Sequence, residues 1–192
     1  KLKRVRPDVA AKVSCVLMVE SIVESMMCAA RQHLLRYRGP LVRITGTFGK
    51  TTTRMAVARV ARHVLGVPTE DEDGIVVENF ANFNNKIGLA MSISRLTPRT
   101  KVAVFELGIG SPGDMDILTW LCPRSTLDVL LSVGHGHIAN FNNNIEYLRA
   151  EKRKVHRNGQ GPFMDFDADP VTFQRNNGDG STIVLDGNLI DI

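Results

Sequence analysis

At 192 residues the chain is long enough for one medium domain with a substantial core, since domains usually run to about 100–200 residues. With 43% hydrophobic and 23% charged residues, 16 Gly and 8 Pro, its composition excludes collagen-like, disordered and low-complexity classes. Aromatics at 6% weigh against a single-strand nucleic-acid binder that stacks bases on exposed rings.

The net charge of +4 is unevenly spread: residues 1–62 hold 13 Lys/Arg against 3 Asp/Glu, and residues 63–192 hold 11 against 17. A basic first third suits a solvated helix face, nucleic acid, anionic lipid or a phosphorylated ligand, and charge alone does not choose among them. Cys15, Cys28 and Cys122 form neither an even framework nor a C-x-x-C pair, which fits a reducing cytoplasm better than a disulfide scaffold. The most apolar stretch, Val13 to Ala30, carries Glu20 and Glu24 and is therefore read as a soluble helix, neither a membrane span nor a signal sequence.

In chain order, residues 8–38 lack Gly and are rich in helix formers, so the expectation is one long basic helix ended by Gly39-Pro40, set apart as residues 1–40. A short strand, Leu41 to Thr45, a Gly-containing turn and a helix from Thr51 to Leu65 follow. Glu70 to Gly74 and Asn79 to Asn85 read as loops, and Ile87 to Leu96 as a helix. Alternation then continues: strand Lys101 to Leu107, helix Gly113 to Leu121, strand Leu127 to Val133, helix Asn144 to Arg157. This alternation implies an α/β fold with a doubly wound, mostly parallel sheet over residues 41–192. The tail, with β-type runs at Phe163 to Asp167, Val171 to Gln174 and Ile183 to Leu185, reads as a β-hairpin.

The strongest chemical signal is Thr45-Gly46-Thr47-Phe48-Gly49-Lys50-Thr51-Thr52, between a predicted strand and a predicted helix. Gly46, Thr47 and Gly49 can turn backbone N–H groups toward phosphate oxygens, with Thr52 continuing the loop into the helix. Lys50 can neutralise the β/γ charge and the Thr51 hydroxyl can hold Mg²⁺. The general phosphate-loop pattern wants Gly at position 44, where Ile44 stands; the shorter T-G-T-x-G-K-T-T form is met in full. Downstream, Glu106 closes a buried strand, where a carboxylate projects into the ligand crevice of a parallel sheet. His135 and His137 form an H-x-H pair without two further ligands at zinc-like spacing.

The T-G-T-x-G-K-T-T loop resembles that of the Mur ligase family, the ATP-dependent amide ligases of peptidoglycan assembly. Three further segments resemble the family in the same order: Asn82-Phe83-Asn84-Asn85-Lys86-Ile87-Gly88, Val102 to Gly108 followed by Ser111 to Asp116, and Ser132 to Val155. The first is similar to the N-x-N-N-x-I-G segment of the branch that adds D-alanyl-D-alanine.

The resemblance implies a central ATP-binding domain with a phosphate-loop fold, covering about residues 41–157, and Mg²⁺-ATP as cofactor. It implies that Lys50 and two Mg²⁺ ions stabilise phosphoryl transfer, Thr51 and Glu106 on one ion, His137 and a carbamylated Lys152 on the other, with Asn85 positioning ligand. Lys50, His137 and Lys152 are thus the expected catalytic set. The partners implied are a carboxylate-bearing substrate such as a UDP-MurNAc-peptide, and a partner chain or domain for the family's flanking parts. Where the family has an Asn that contacts adenine, this chain has Asp167, which cannot reproduce both faces of an amide. A nucleotide-binding scaffold without ligase activity and a polyglutamate-type ligase are the alternative readings.

Overall fold

The computed structural model describes residues 18–68, 74–157, 159 and 161–168, together with the strand backbones 172–175, 181–185 and 188–191. Five helices, α1 (Ile22–Leu34), α2 (Lys50–Val64), α3 (Lys86–Ile93), α4 (Asp114–Leu121) and α5 (Ile145–Arg153), alternate among these residues with strands. The strands are β1 (Leu41–Thr45), β2 (Val76–Glu78), β3 (Val102–Glu106), β4 (Leu127–Leu130) and β5 (Phe163–Asp165). They form one parallel sheet in the order β2-β3-β1-β4-β5.

A parallel sheet is stable when both faces are covered, and here each face has its own apolar cluster. On one face Leu41, Phe105, Leu107 and Leu130 pack with Met27, Ala30 and Leu34 of α1, Leu89 and Ile93 of α3, and Met115 and Leu118 of α4. On the other, Ile44, Val76, Val104 and Val129 pack against Ala58 of α2. Neighbouring strand residues alternate between the clusters, as a pleat of period two requires. Arg43 breaks the apolar pattern of β1. It is buried opposite Asp128 of β4, with Nε donating to Oδ1 at 2.7 Å and Nη2 to Oδ2 at 2.9 Å.

The boundaries show which local signals win. The long first helix is expected from residue 8, yet among the described residues it begins at Ile22. Ser21 is the cause: its hydroxyl accepts from Glu24 N, the S-x-x-E arrangement that starts a helix. The helix ends at Leu34 rather than Arg38, and Tyr37 Oη then donates to Pro40 O as the chain turns into β1. α1 is packed into the main core against α3 and α4, through Met27, Ala30 and Leu34.

Strand β2 falls where loops are expected on both sides, and its three residues carry too short a pattern to register. The acidic run 70–73 lies outside the described residues. The predicted helix Asn144 to Arg157 is α5, with Asn144 as its cap, followed by a tight turn at Lys154–His156.

The tail differs from a simple hairpin. Phe163–Asp165 joins the parallel sheet beside β4, and β6 (Thr172–Arg175), β7 (Ser181–Leu185) and β8 (Asn188–Asp191) form a three-stranded antiparallel sheet. Residues 176–180, between β6 and β7, lie outside the described residues.

Candidate functional site

The carboxyl ends of β1, β3 and β4 meet at a cavity of about 440 Å³ whose walls include Gly46, Thr47, Lys50, Asn85, Gly108, His137 and Lys152. A larger concavity, about 660 Å³ between α1, α3 and α4, contains neither the loop nor Glu106.

The loop from β1 to α2 has the geometry that oxyanions need. Gly49 caps α2 with φ of 79°, a conformation that costs a side-chain-bearing residue energy, and Gly46 sits at φ of 147°, where a Cβ would come within 2.8 Å of Leu131 Cβ. The loop is fixed from outside as well. Thr47 N donates to Ser132 O at 2.9 Å, and Thr47 Oγ1 donates to Gly134 O at 3.2 Å. α2 begins at the cavity, which places the positive end of its dipole there. Lys50 Nζ folds over the loop and donates to Thr47 O at 3.1 Å.

Glu106, at the end of β3, is 1% exposed and surrounded by donors. Thr51 Oγ1 donates to Oε2 at 2.9 Å, Asn84 Nδ2 donates to Oε1 at 2.6 Å, and Arg54 Nε lies 3.9 Å from Oε2. Asn79 fixes the backbone of the same residue: its Oδ1 accepts from Glu106 N at 2.6 Å and its Nδ2 donates to Glu106 O at 3.2 Å. A hydroxyl and a carboxylate at hydrogen-bond distance, both hard oxygen donors, suit Mg²⁺. Among the described residues no three His, Cys, Asp or Glu converge as a metal set, so a cation held here needs oxygens from phosphate and water as well.

Lys152, on α5, is buried on the opposite wall, where Nζ donates to Gly46 O at 2.9 Å. Burial, and then the nearby Lys50 ammonium, lower its pKa from the ordinary lysine value to about 8. Its neighbour Glu151 anchors α5 to the start of α4: Oε1 accepts from Gly113 N at 2.9 Å and Met115 N at 3.2 Å. His137 lines the same cavity but is exposed, with φ of 63°. The structure therefore brings Gly46, Thr47, Lys50, Asn85, His137 and Lys152 to one cavity, with Thr51 and Glu106 paired at the β1–β3 edge.

Asn85 lines the cavity, and its Oδ1 caps α3 by accepting from Ile87 N and Gly88 N. Asn84, given no role of its own from the sequence, is the residue that touches Glu106. Asn79, Arg54 and Glu151 also went unread; each is one polar residue in a polar stretch, and only tertiary packing distinguishes it.

The sequence model of one family, the Mur ligase middle domain, matches residues 44–163. The chain belongs to this family. Among similar proteins are UDP-N-acetylmuramoyl-tripeptide--D-alanyl-D-alanine ligases. That of Bacillus subtilis is 27% identical over 126 residues, 66% of this chain and 25% of that protein. That of Rickettsia prowazekii is 24% identical over 143 residues, 74% of this chain and 29% of that protein. The chain thus spans about a quarter of the length of these relatives.

Solved structures agree on the fold. MurF from Acinetobacter baumannii superposes with a TM-score of 0.69 at 18% identity, covering 87% of this chain and 40% of that one. MurF ligase from Thermotoga maritima, solved in complex with ADP, gives 0.68 at 20% identity, covering 94% and 46%. In this Mur ligase middle domain no described helix is long and apolar enough to cross a membrane.

Asp167 in this Mur ligase domain is tied down. Oδ1 accepts from Val133 N at 2.9 Å and Oδ2 from Arg149 Nε at 2.9 Å, with Arg153 Nη2 at 3.6 Å.

Proposed function

We propose that this chain is the nucleotide-binding centre of an ATP-dependent amide ligase of peptidoglycan precursor synthesis, working in the cytoplasm. The observation that carries the reading is the Thr51 hydroxyl 2.9 Å from the Glu106 carboxylate, beside a helix N-terminus capped by Gly49 and overlain by Lys50. That combination of hard oxygen donors, backbone amides and one ammonium suits a nucleoside triphosphate with its divalent cation.

In the reaction a substrate carboxylate oxygen attacks the γ-phosphorus of ATP, the bond to the β-bridging oxygen breaks, and ADP leaves. An amine then attacks the carbonyl carbon of the acyl phosphate, losing a proton as phosphate departs and the amide forms. Residues 46–51 hold and orient the phosphates through backbone N–H groups. Lys50, released from Thr47 O, follows the charge that builds on the transferring group. Mg²⁺, held by Thr51 and Glu106, would supply charge neutralisation at the phosphoryl oxygens. Asn84 and Asn79 hold Glu106 in place, and Asn85 orients ligand from the start of α3.

His137 and Lys152 are the residues suited to a second cation. As an ammonium, Lys152 repels metal; as a carbamate it offers two anionic oxygens. With a pKa of about 8 its amine is partly neutral at physiological pH, the form that adds carbon dioxide with loss of a proton. The carboxylate substrate is a UDP-MurNAc-peptide and the amine a D-alanyl-D-alanine dipeptide, a reading supported by the named relatives. Regions outside the matched quarter, in the same or a partner chain, hold these two substrates.

Calorimetric titration with ATP, with and without Mg²⁺, tests the site. Magnesium-dependent binding by the parent and a weakening of about tenfold or more in Lys50→Ala are expected, the scale of one lost charge-assisted hydrogen bond, roughly 1.5–3 kcal/mol. Equal affinity in the two proteins would sink the assignment of the loop.

A further inference from the structure

Arg54 stands beside Glu106 and has no task in the proposed reaction. It follows Thr51 by three residues on the same face of α2, so the helix that supplies the hydroxyl for the cation also carries a guanidinium to the same carboxylate. The residue is 4% exposed. Its Nη1 donates to Asn79 O, which fixes the group between the ends of β2 and β3.

The guanidinium faces two carboxylates and hydrogen-bonds neither. Nε lies 3.9 Å from Glu106 Oε2 and Nη1 lies 3.6 Å from Glu78 Oε2, distances within ion-pair range and beyond hydrogen-bond range. Nε is buried with no hydrogen-bond partner among the described residues. A buried donor left unpaired costs free energy, so hydrogen bonding does not account for an arginine here, and what the side chain supplies is charge. Glu78 is in turn held by Arg62, whose Nη1 donates to Oε1 at 2.9 Å. Arg54 therefore has a second counter-ion and can give up Glu106 without becoming an uncompensated buried charge.

The balance of charge at the cavity then decides what can enter. Among the described residues its walls carry the ammonium groups of Lys50 and Lys152 and no carboxylate, and Glu106, which touches the wall through Asn84, is offset by Arg54. A divalent cation arriving alone meets a neutralised carboxylate and several positive groups, and like charges a few ångströms apart repel strongly near a protein surface. A polyphosphate reverses that balance. Its oxygens offset Lys50 and Lys152 and complete the oxygen shell that Thr51 and Glu106 leave open.

We propose that Arg54 is a positioning residue that reserves Glu106 for a cation accompanied by polyphosphate, holding the carboxylate until nucleotide arrives and then falling back on Glu78. The inference rests on the proposed nucleotide-binding reading and adds to it the residue that excludes a lone divalent ion.

The experiment is electron paramagnetic resonance of free Mn²⁺ with the whole chain, without nucleotide and with ADP, subtracting the Mn²⁺ held by ADP alone. ADP binding is followed in parallel by calorimetry. The parent is expected to hold Mn²⁺ roughly a hundredfold or more weakly without ADP than with it. Arg54→Gln binds lone Mn²⁺ roughly tenfold or more tightly than the parent does, the scale of one like charge removed from beside a divalent ion. Arg54→Lys, which keeps the charge and loses the planar fork, excludes lone Mn²⁺ as the parent does. Glu106→Gln in the Arg54→Gln background abolishes the gained binding. Where the single variant does not fold, Arg54→Gln with Glu78→Gln removes the buried charges as a pair and carries the same expectation.

A gain of binding is a readout that damage to the fold does not produce. A parent that holds Mn²⁺ as tightly without ADP as with it would overturn the proposal. So would a gain that Arg54→Lys shares, which ties the effect to the shape of the fork, or a gain that survives Glu106→Gln, which puts the ion elsewhere. If the parent binds ADP with Mn²⁺ but Arg54→Gln gains nothing, this inference alone fails. If calorimetry finds no ADP binding by the parent with Mn²⁺ present, the proposed function fails with it.

Discussion

The two flanks of β1 are built differently. On the β3 side the candidate cation ligand Glu106 is held by Thr51 and Asn84, its backbone is clamped by Asn79, and the carboxylate is nearly sealed from solvent. On the β4 side, His137 is exposed in a left-handed turn, and the Lys152 ammonium hydrogen-bonds a loop carbonyl, Gly46 O. One flank is preorganised by its own hydrogen bonds; the other must rearrange or be modified before it can hold a cation. Preorganised dipoles cost nothing to orient at the moment of reaction, so under the proposed function the first cation belongs on the β3 flank and occupancy of the second is conditional.

The foundations beneath the two flanks differ as well. At the level of Arg43, β3 contributes Phe105, an apolar neighbour, whereas β4 contributes Asp128, paired to Arg43 with both side chains fully buried. His156 Nδ1 lies 2.9 Å from Asp128 Oδ2, and its ring stacks on Phe163 of β5. The largest effect is therefore expected from Arg43→Met, which strands a buried carboxylate and should cost about 3–5 kcal/mol in urea unfolding. The double variant Arg43→Met with Asp128→Leu should recover most of that loss, because breaking a buried pair costs more than replacing both partners. A single variant as stable as the parent would mean that the pair does not hold the β1–β4 seam.

A second test acts on the β3 flank alone. Asn84→Ala removes the donor at 2.6 Å from Glu106 Oε1 without touching the phosphate loop. Partners that hold a metal ligand are typically worth about 10–100-fold in metal affinity, so Mn²⁺ binding in the presence of ADP should weaken by roughly tenfold or more. Electron paramagnetic resonance of free Mn²⁺ reads this directly. His137→Ala should change the same measurement far less, and equal losses in the two variants would erase the proposed contrast between the flanks.

How much of this was legible in the sequence follows the same division. The positions of the β1–α2 loop and of Glu106 were legible because they lie in local spacing, Gly and Lys-Thr at fixed offsets and a carboxylate at a strand end. Asn84 was not, because two adjacent Asn residues look alike in sequence. The fold decides that Asn85 caps α3 while Asn84 reaches Glu106. Strand β2 is not legible because three residues carry no period, and the start of α1 is set by Ser21 and Glu24 where the lack of Gly predicts a longer helix. The ties from Asp167 to Val133 and Arg149 span 34 and 18 residues, and no local pattern encodes them.

The effect that most sharpens the contrast concerns the state of Lys152. Burial holds its pKa at about 8, below the ordinary lysine value of 10.5, so between these limits the unfolded chain binds more protons than the folded one. Stability attributable to this residue therefore rises with pH across that window, and below pH 8 the buried ammonium carries its full cost. Urea unfolding of the parent against Lys152→Met from pH 7 to pH 10.5 should show the parent gaining on the variant as pH rises; parallel curves would place the amine in water. Because the Lys50 ammonium is the second cause of the shift, Lys50→Ala should move the Lys152 midpoint upward in a carbon-13 titration of methylated lysines. The movement should stop short of the ordinary value, since burial, the larger cause, remains.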